Sequence, residues 1–219
     1  MKKILIVVTA FLLSISTLSA QKTGMSIQLG GILPSLQFGN QPALVIPGTN
    51  SFGSAGGAMF GASFGLKFTY RFDKTKMENS GLGIFVSADG IWNALQKDIR
   101  TKYDNVSCTK PMYVNVPVML GISYTTQFSD VFGLWVEAGL GADLLFKTPE
   151  GWDDHTTEYK LSTEFAAEGG AGIILAKTIT LGAHYYWLGT HDIRVKDATF
   201  STANPLKVGV WAFKLGFHF

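Results

Sequence analysis

The sequence predicts an all-β fold, an eight-stranded antiparallel transmembrane β-barrel of up-and-down topology. Three observations predict it. Eight runs alternate large apolar residues with small or polar ones at period two, as strands with two unlike faces do. The connections between the runs go long, short, long, short, long, short, long. Barrels that cross a bilayer show this alternation, with short turns on one side and long loops on the other. Finally, the face opposite the large apolar residues is built of glycine, serine and isolated charges, as a crowded lumen is. A soluble lipocalin-like barrel needs the reverse arrangement, with large apolar residues inside and a richly polar exterior.

Composition agrees. Of 219 residues, 47% are hydrophobic and 16% charged, below the roughly 25% charged residues of a soluble domain. The net charge of +2 offers no field for nucleic acid, so no nucleic-acid partner is expected. One cysteine, Cys108, excludes an intramolecular disulfide and a Cys-rich metal centre.

The amino-terminal stretch is a separate piece. Met1, Lys2 and Lys3 form a short basic start, Ile4 to Leu13 is almost unbroken apolar sequence, and Ser14 to Ala20 turns small and polar. This is the pattern of a secretory signal peptide over residues 1–20, with cleavage between Ala20 and Gln21. The apolar run is too short for a spanning helix, which needs about 20 residues. The barrel domain then occupies residues 21–219, and no other stretch of it suggests a helical span.

The first run, Gly24 to Leu33, carries Met25, Ile27, Leu29 and Leu33 on one face, and a long Pro/Gly/Asn/Ser-rich segment follows from Pro34 to Gly57. In the second, Ala58 to Phe72, the residues Phe60, Phe64, Leu66, Phe68, Tyr70 and Phe72 share one parity. Gly61, Ser63, Gly65, Lys67, Thr69 and Arg71 share the other. Asp73 to Ser80 is a short charged turn. Leu82, Ile84, Val86 and Ala88 line the third run against Phe85, Ser87 and Asp89, before a second long polar segment from Leu95 to Pro111.

The fourth run, Met112 to Thr125, points its valines outward and Tyr113, Asn115, Met119 and Ser123 inward. Pro117 lies inside it and predicts a bulge or local irregularity, because proline cannot donate to the ladder. Thr126 to Asp130 is a tight turn. Phe132 to Phe146 follows with Glu137 and Asp143 inward, and Lys147 to Lys160 is the third long segment. The sixth run, Leu161 to Ala176, sets Phe165, Ile173 and Leu175 against Glu164 and Glu168. After a short turn at Lys177, the seventh run from Thr178 to Thr190 sets Ile179, Leu181, Tyr185 and Trp187 against His184 and Tyr186. His191 to Leu206 is the fourth long segment.

The eighth run, Lys207 to Phe219, places Trp211, Phe213, Leu215, Phe217 and Phe219 on one face, and Val210, Ala212, Lys214, Gly216 and His218 on the other. Runs of about 10 to 15 residues cross a bilayer when tilted, and closure leaves no backbone group unpaired in lipid. Tyr70, Phe72, Tyr124, Phe132 and Phe219 fall near the short turns, and Phe146, Trp187 and Trp211 near the long loops. Two interfacial aromatic girdles are expected there.

The segment Tyr113-Val114-Asn115-Val116-Pro117-Val118-Met119-Leu120-Gly121 and the terminal aromatic strand resemble the small outer-membrane β-barrel family of diderm bacteria, and within it the PorT-like group. The resemblance covers essentially Gln21 to Phe219. It implies an outer-membrane location, where the even strand number puts both termini in the periplasm and the long loops outside. It also implies handling by the barrel-assembly machinery and a secretion-system partner. The charged loops, basic-leaning over Lys97 to Lys110 and acidic over Trp152 to Glu158, suit a surface partner or outer-membrane lipids and lipopolysaccharide. The family's assembly signal matches at Phe217 and Phe219, but Lys214 stands where a glycine is usual. Functions in the family are diverse, so little chemistry follows from it.

Ten ionisable residues share the inward parity: Lys67, Arg71, Asp89, Glu137, Asp143, Glu164, Glu168, His184, Lys214 and His218. An eight-stranded barrel has an interior that side chains can fill, so these predict a charge-balanced lumen plug, with acids of the third, fifth and sixth strands pairing bases of the second and eighth. A narrow water or ion path, and hence a small porin or channel, is the alternative. Catalysis needs a base beside a nucleophile and a carboxylate. His184 with Glu164 or Glu168 faces the lumen, and Asp153-Asp154-His155 and His191-Asp192 are loop pairs too short to specify a site. Four scattered histidines argue against a four-ligand zinc site. The expected protein is therefore non-enzymatic, without cofactor or metal, and structural or interaction-based in role.

Overall fold

The computed structural model describes residues 23–40, 56–72, 81–95, 108–109, 112–152, 155–194, 196 and 204–219. Among them the chain forms β1 (Thr23–Ser35), a short helix α1 (Leu36–Asn40), β2 (Ala58–Arg71), β3 (Gly81–Leu95), β4 (Cys108–Thr109), β5 (Tyr113–Gln127), β6 (Phe132–Lys147), β7 (Glu150–Trp152), β8 (His155–Thr157), β9 (Ser162–Leu175), β10 (Ile179–Ile193) and β11 (Asn204–His218). Eight of these strands close into an antiparallel barrel in the order β1-β11-β10-β9-β6-β5-β3-β2, each strand beside its neighbour in the chain. The seam pairs β1 with β11 from Ser26↔His218 to Ser35↔Gly209. Met25 and Phe219 extend it, each donating its N–H to the other's carbonyl at 3.2 and 2.8 Å. No edge strand remains in the barrel wall.

The predicted faces appear as drawn. Phe60, Phe64, Val86, Leu120, Ile122, Val136, Leu140, Phe165, Trp211 and Phe213 are all exposed, while the alternate residues are buried inside. A continuous apolar exterior of this extent is stable against hydrocarbon rather than water. At the short-turn end Tyr70 and Phe72 meet edge-to-face at 5.7 Å, and Phe128 stacks on Phe132 at 6.0 Å. At the other end Phe165 meets Trp187 at 6.0 Å and Tyr185 meets Trp211 at 4.9 Å.

Several sequence expectations are corrected. The segment after Leu33 is not all loop: Leu36, with a left-handed φ of 56°, turns the chain into α1. Five residues carry too little periodicity to announce a helix, and no described helix is long and apolar enough to cross a membrane. The segment around Glu150 is not structureless either, because β4, β7 and β8 pair into a separate three-stranded sheet.

The seventh strand does not stop at Thr190, and His191-Asp192 is not a loop pair. β10 continues to Ile193 through a bulge between Trp187 and Thr190, where Gly189 takes φ +83°. The extra residue flips the parity, so His191 points inward although its number is odd. At Pro117 the expected irregularity is a gap in the ladder and not a bulge. The β3–β5 ladder lapses between Ala88↔Val118 and Ile91↔Asn115 with its register unchanged, and Pro117 still pairs with Asp143 of β6. The missing N–H is thus accommodated by a gap rather than an inserted residue.

Two short turns meet. Ala176 and Lys177 both have positive φ, 48° and 64°, and the Thr178 N–H donates to the Leu175 carbonyl at 3.2 Å. This matches a type I′ hairpin, whose twist suits the flanking strands. Lys177 reaches the next turn, with Nζ 2.7 Å from Asp130 Oδ1. The signal peptide with Ala20 and Gln21, the Asp73 to Ser80 turn, the Lys97 to Asp104 stretch and Asp153-Asp154 lie outside the described residues.

Candidate functional site: the barrel lumen

Register fixes height in the lumen. Gly30↔Lys214 lies one inward step below Ile32↔Ala212, so β11 passes from Lys214 through Ala212 to Val210, Val208 and Leu206 toward the long loops. The loop-side half is filled by Ile32, Phe38, Ile91, Leu95, Tyr113, Leu145, Leu188 and Leu206, each at most 2% exposed. Helix α1 folds over this end. Phe38 meets Tyr113 edge-to-face at 5.1 Å, and the Gln37 side chain accepts the Lys207 N–H at 3.2 Å. The Tyr113 hydroxyl accepts from the Gly56 N–H and donates to the Gly56 carbonyl, both at 3.1 Å, so the chain entering β2 is tied to the same plug.

Below the plug lies a charged layer. Lys214 Nζ donates to Asp89 Oδ1 at 2.5 Å, to the Tyr186 hydroxyl at 2.7 Å and to Gln28 Oε1 at 3.2 Å. The Tyr186 hydroxyl in turn donates to Asp89 Oδ2 at 3.1 Å. Lys67 pairs with Glu137 Oε2, and its ammonium lies 5.1 Å from the Phe85 ring centroid and 5.4 Å from that of Trp135. Both lysines and both acids are almost wholly buried. Buried ions need such partners to offset their desolvation. His184 and Glu168 complete the layer, with His184 Nδ1 3.4 Å from Glu137 Oε1.

Large rings fit here because glycines face them. A Cβ on Gly121 or Gly139 would meet the Phe85 ring, and one on Gly172 or Gly182 would meet Trp135. The ladder places each ring at the head of a row: Phe85↔Gly121↔Gly139 and Trp135↔Gly172↔Gly182.

Above the charged layer, His191 bridges three strands. Its Nδ1 lies 3.0 Å from Ser162 Oγ, and its Nε2 lies 2.7 Å from the Leu188 carbonyl and 3.0 Å from Asp143 Oδ2. The Leu188 carbonyl can only accept, so Nε2 carries the proton and Nδ1 accepts from Ser162, while Asp143 Oδ2 lies near Nε2 without hydrogen-bond geometry. The three side chains are those of a Ser-His-Asp relay, but Asp143 is not hydrogen-bonded to His191 and neither has exposed surface. The cluster clamps β6, β9 and β10 together.

Toward the short turns the lumen opens into a cavity of about 30 Å³, enough for roughly two waters, lined among others by Gln28, Arg71, Thr125, Gln127, Thr180 and His218, with Lys67 and Glu137 on its inner wall.

Of the residues singled out in the sequence, Lys67, Asp89, Glu137, Glu168, His184 and Lys214 come together in one layer. Arg71 and His218 line the cavity beneath it, Asp143 joins His191 above it, and Glu164 stands half-buried beside the Gly189 bulge. Phe217 and Phe219 face outward at the seam. Tyr186, Gln28, Phe85 and Trp135 belong to the site and were not singled out for it. Tyr186 shares the inward parity of His184, which was the available signal. His191 and Ser162 were hidden by the bulge and by the strand end.

Fold and lumen together define a small membrane-spanning barrel. No protein-family model matches the chain, and no curated protein does. Among solved structures, the outer membrane protein OprG from Pseudomonas aeruginosa aligns at 14% identity over 91% of this chain and 97% of its own, with a TM-score of 0.50. That likeness shows the fold. Ail, the attachment invasion locus protein of Yersinia pestis, solved with the heparin analogue sucrose octasulfate, aligns at 15% identity over 90% and 99%, with a TM-score of 0.49. Neisserial surface protein A aligns at 12% identity over 90% and 95%, with a TM-score of 0.46.

Proposed function

We propose that this is an integral outer-membrane barrel of a diderm bacterium, non-enzymatic, acting as a structural or interaction protein and not as a pore. The carrying observation is the packed plug around Phe38, Tyr113, Leu188 and Leu206, which with the buried side chains of Asn93, Asn115, Asp143 and His191 fills the loop-side half of the lumen above a fully paired pair of lysines. Ions crossing such a tightly packed stretch would have to shed their hydration. Both termini then face the periplasm and the long loops face outward, and partners meet the loops, the turns or the wall. Lipopolysaccharide and lipid contact the apolar exterior.

Single-channel recording of the folded protein in a planar bilayer tests this, with the shift between boiled and unboiled samples on a gel as the folding control. Silence from folded protein is the expected result. Discrete, reproducible openings would overturn it and make the layer charges selectivity residues. The Tyr113 to Gly121 likeness to PorT-like barrels supports a place beside a secretion machine as the interaction role. Crosslinking in the native membrane that recovers no secretion component would remove that role.

A further inference from the structure

We propose that Glu137, Glu168 and His184 form a buried binding site for a single divalent transition-metal cation of the zinc class. The three residues come from β6, β9 and β10, and one ligand atom of each lies within 4.8 Å of the others. All three are more than nine-tenths buried.

Two members of the trio, Glu168 and His184, keep all their ligand atoms without a hydrogen bond, and they are the charged or titratable members of this layer that do so. Neither ring nitrogen of His184 and neither carboxylate oxygen of Glu168 has a hydrogen-bond partner. Buried polar atoms are nearly always partnered, and a histidine with two free nitrogens inside a membrane barrel is an expensive residue to keep. The obvious donors are committed elsewhere. The Tyr186 hydroxyl lies beside both Asp89 and Glu168, but its single proton is directed at Asp89; Lys214 serves Asp89, Tyr186 and Gln28, and Lys67 serves Glu137 Oε2. Glu137 Oε1 is left facing His184 Nδ1 across 3.4 Å without hydrogen-bond geometry. Two ligands about 2.1 Å from one tetrahedral ion stand about 3.4 Å apart. The gap is therefore that of two donors sharing a cation.

Charge points the same way. The layer holds three carboxylates, Asp89, Glu137 and Glu168, against two lysines, and Glu168 is the acid without a lysine. A divalent cation neutralises that excess, and a bound water that ionises on the metal brings the layer back to neutrality. One imidazole with two carboxylates suits zinc and its neighbours better than magnesium or calcium, which favour all-oxygen sites. The Trp135 ring, 5.0 Å from that of His184, fixes the imidazole plane. The cavity that reaches Glu137 from the short-turn end gives the ion its way in.

The test uses the barrel extracted from membranes without any metal-affinity step, stripped with a chelator, and refolded with zinc chloride. Metal is counted by mass spectrometry after gel filtration, and the gel shift certifies folding. Wild type is expected to retain one zinc per barrel, and Glu168→Gln and His184→Gln less than a tenth of that. Refolding with cobalt chloride should give visible absorption bands of a low-coordinate site, lost in the same variants. If His184→Gln fails to fold, the nearly isosteric Glu168→Gln decides alone. Folded wild type that retains no more zinc than Glu168→Gln, or none, would overturn the site and leave Glu168 as a buried protonated acid.

Discussion

The two halves of the lumen share the same eight strands and the same inward parity, yet they fill in opposite ways. The loop-side half is mainly apolar packing, with Ile32, Leu145, Leu188, Leu206 and the Phe38–Tyr113 pair in one cluster and Asn115, Asp143 and His191 as its buried polar members. The turn-side half is directional, with every hydrogen bond of its two lysines aimed at a named oxygen. Apolar filling contributes stability roughly in proportion to area and asks for no particular partner. Charged filling breaks even only when complete, so a residue there depends on residues two or three strands away. The barrel seals with the tolerant half and invests its specificity in the demanding one.

That contrast is open to breakage. Lys214→Met leaves Asp89 buried and unpaired and should cost roughly 3–5 kcal/mol of unfolding free energy in denaturant titrations of the folded barrel. Adding Asp89→Leu should restore most of the loss, and a double variant no better than the single one would show that the layer is not organised by pairs. Leu188→Ala in the loop-side half should cost about 2–5 kcal/mol through the cavity it leaves. No deletion of a neighbour should rescue it; rescue by a second truncation there would erase the distinction between the halves.

The smallest effect is expected outside both halves, at the turn pair. Lys177 holds the Asp130 carboxyl below its ordinary value by hydrogen bonding and charge. A lowered folded value gives stability that is present above the unfolded value of about 4 and lost as pH falls through the folded one. Because the Asp130 carboxylate is 91% exposed, salt screens the pair. Asp130→Asn should therefore leave the denaturation midpoint unchanged at pH 7 in physiological salt, and remove only a slight dependence below pH 4. A clear loss at pH 7 would mean that the two turns are coupled as firmly as the lumen layer.

The sequence made the wall legible, because period two is a local signal and lipid enforces it on every strand. It also made the inward set legible, since parity decides which residues enter the lumen. Parity does not give height or bearing around the axis. Glu164 and Glu168 have the same parity four residues apart, yet only Glu168 reaches the central layer. Their heights depend on the stagger between strands, which no single run encodes. His191 stayed hidden because one extra residue at the Gly189 bulge reverses parity, and α1 because five residues leave no period to detect.

The rings seated on glycines bear on a problem that any closing barrel must solve during assembly. A strand that slips by one residue turns its apolar face inward and is rejected by the lipid pattern itself. A slip of two residues keeps every face correct, and greasy alternation cannot detect it. Phe85 over Gly121 and Gly139 can: a two-residue slip of β5 brings Met119 or Ser123 under the ring in place of Gly121. Trp135 guards β9 and β10 in the same manner. These aromatic keys and their glycine slots proofread the stagger at the even steps that the membrane leaves unread.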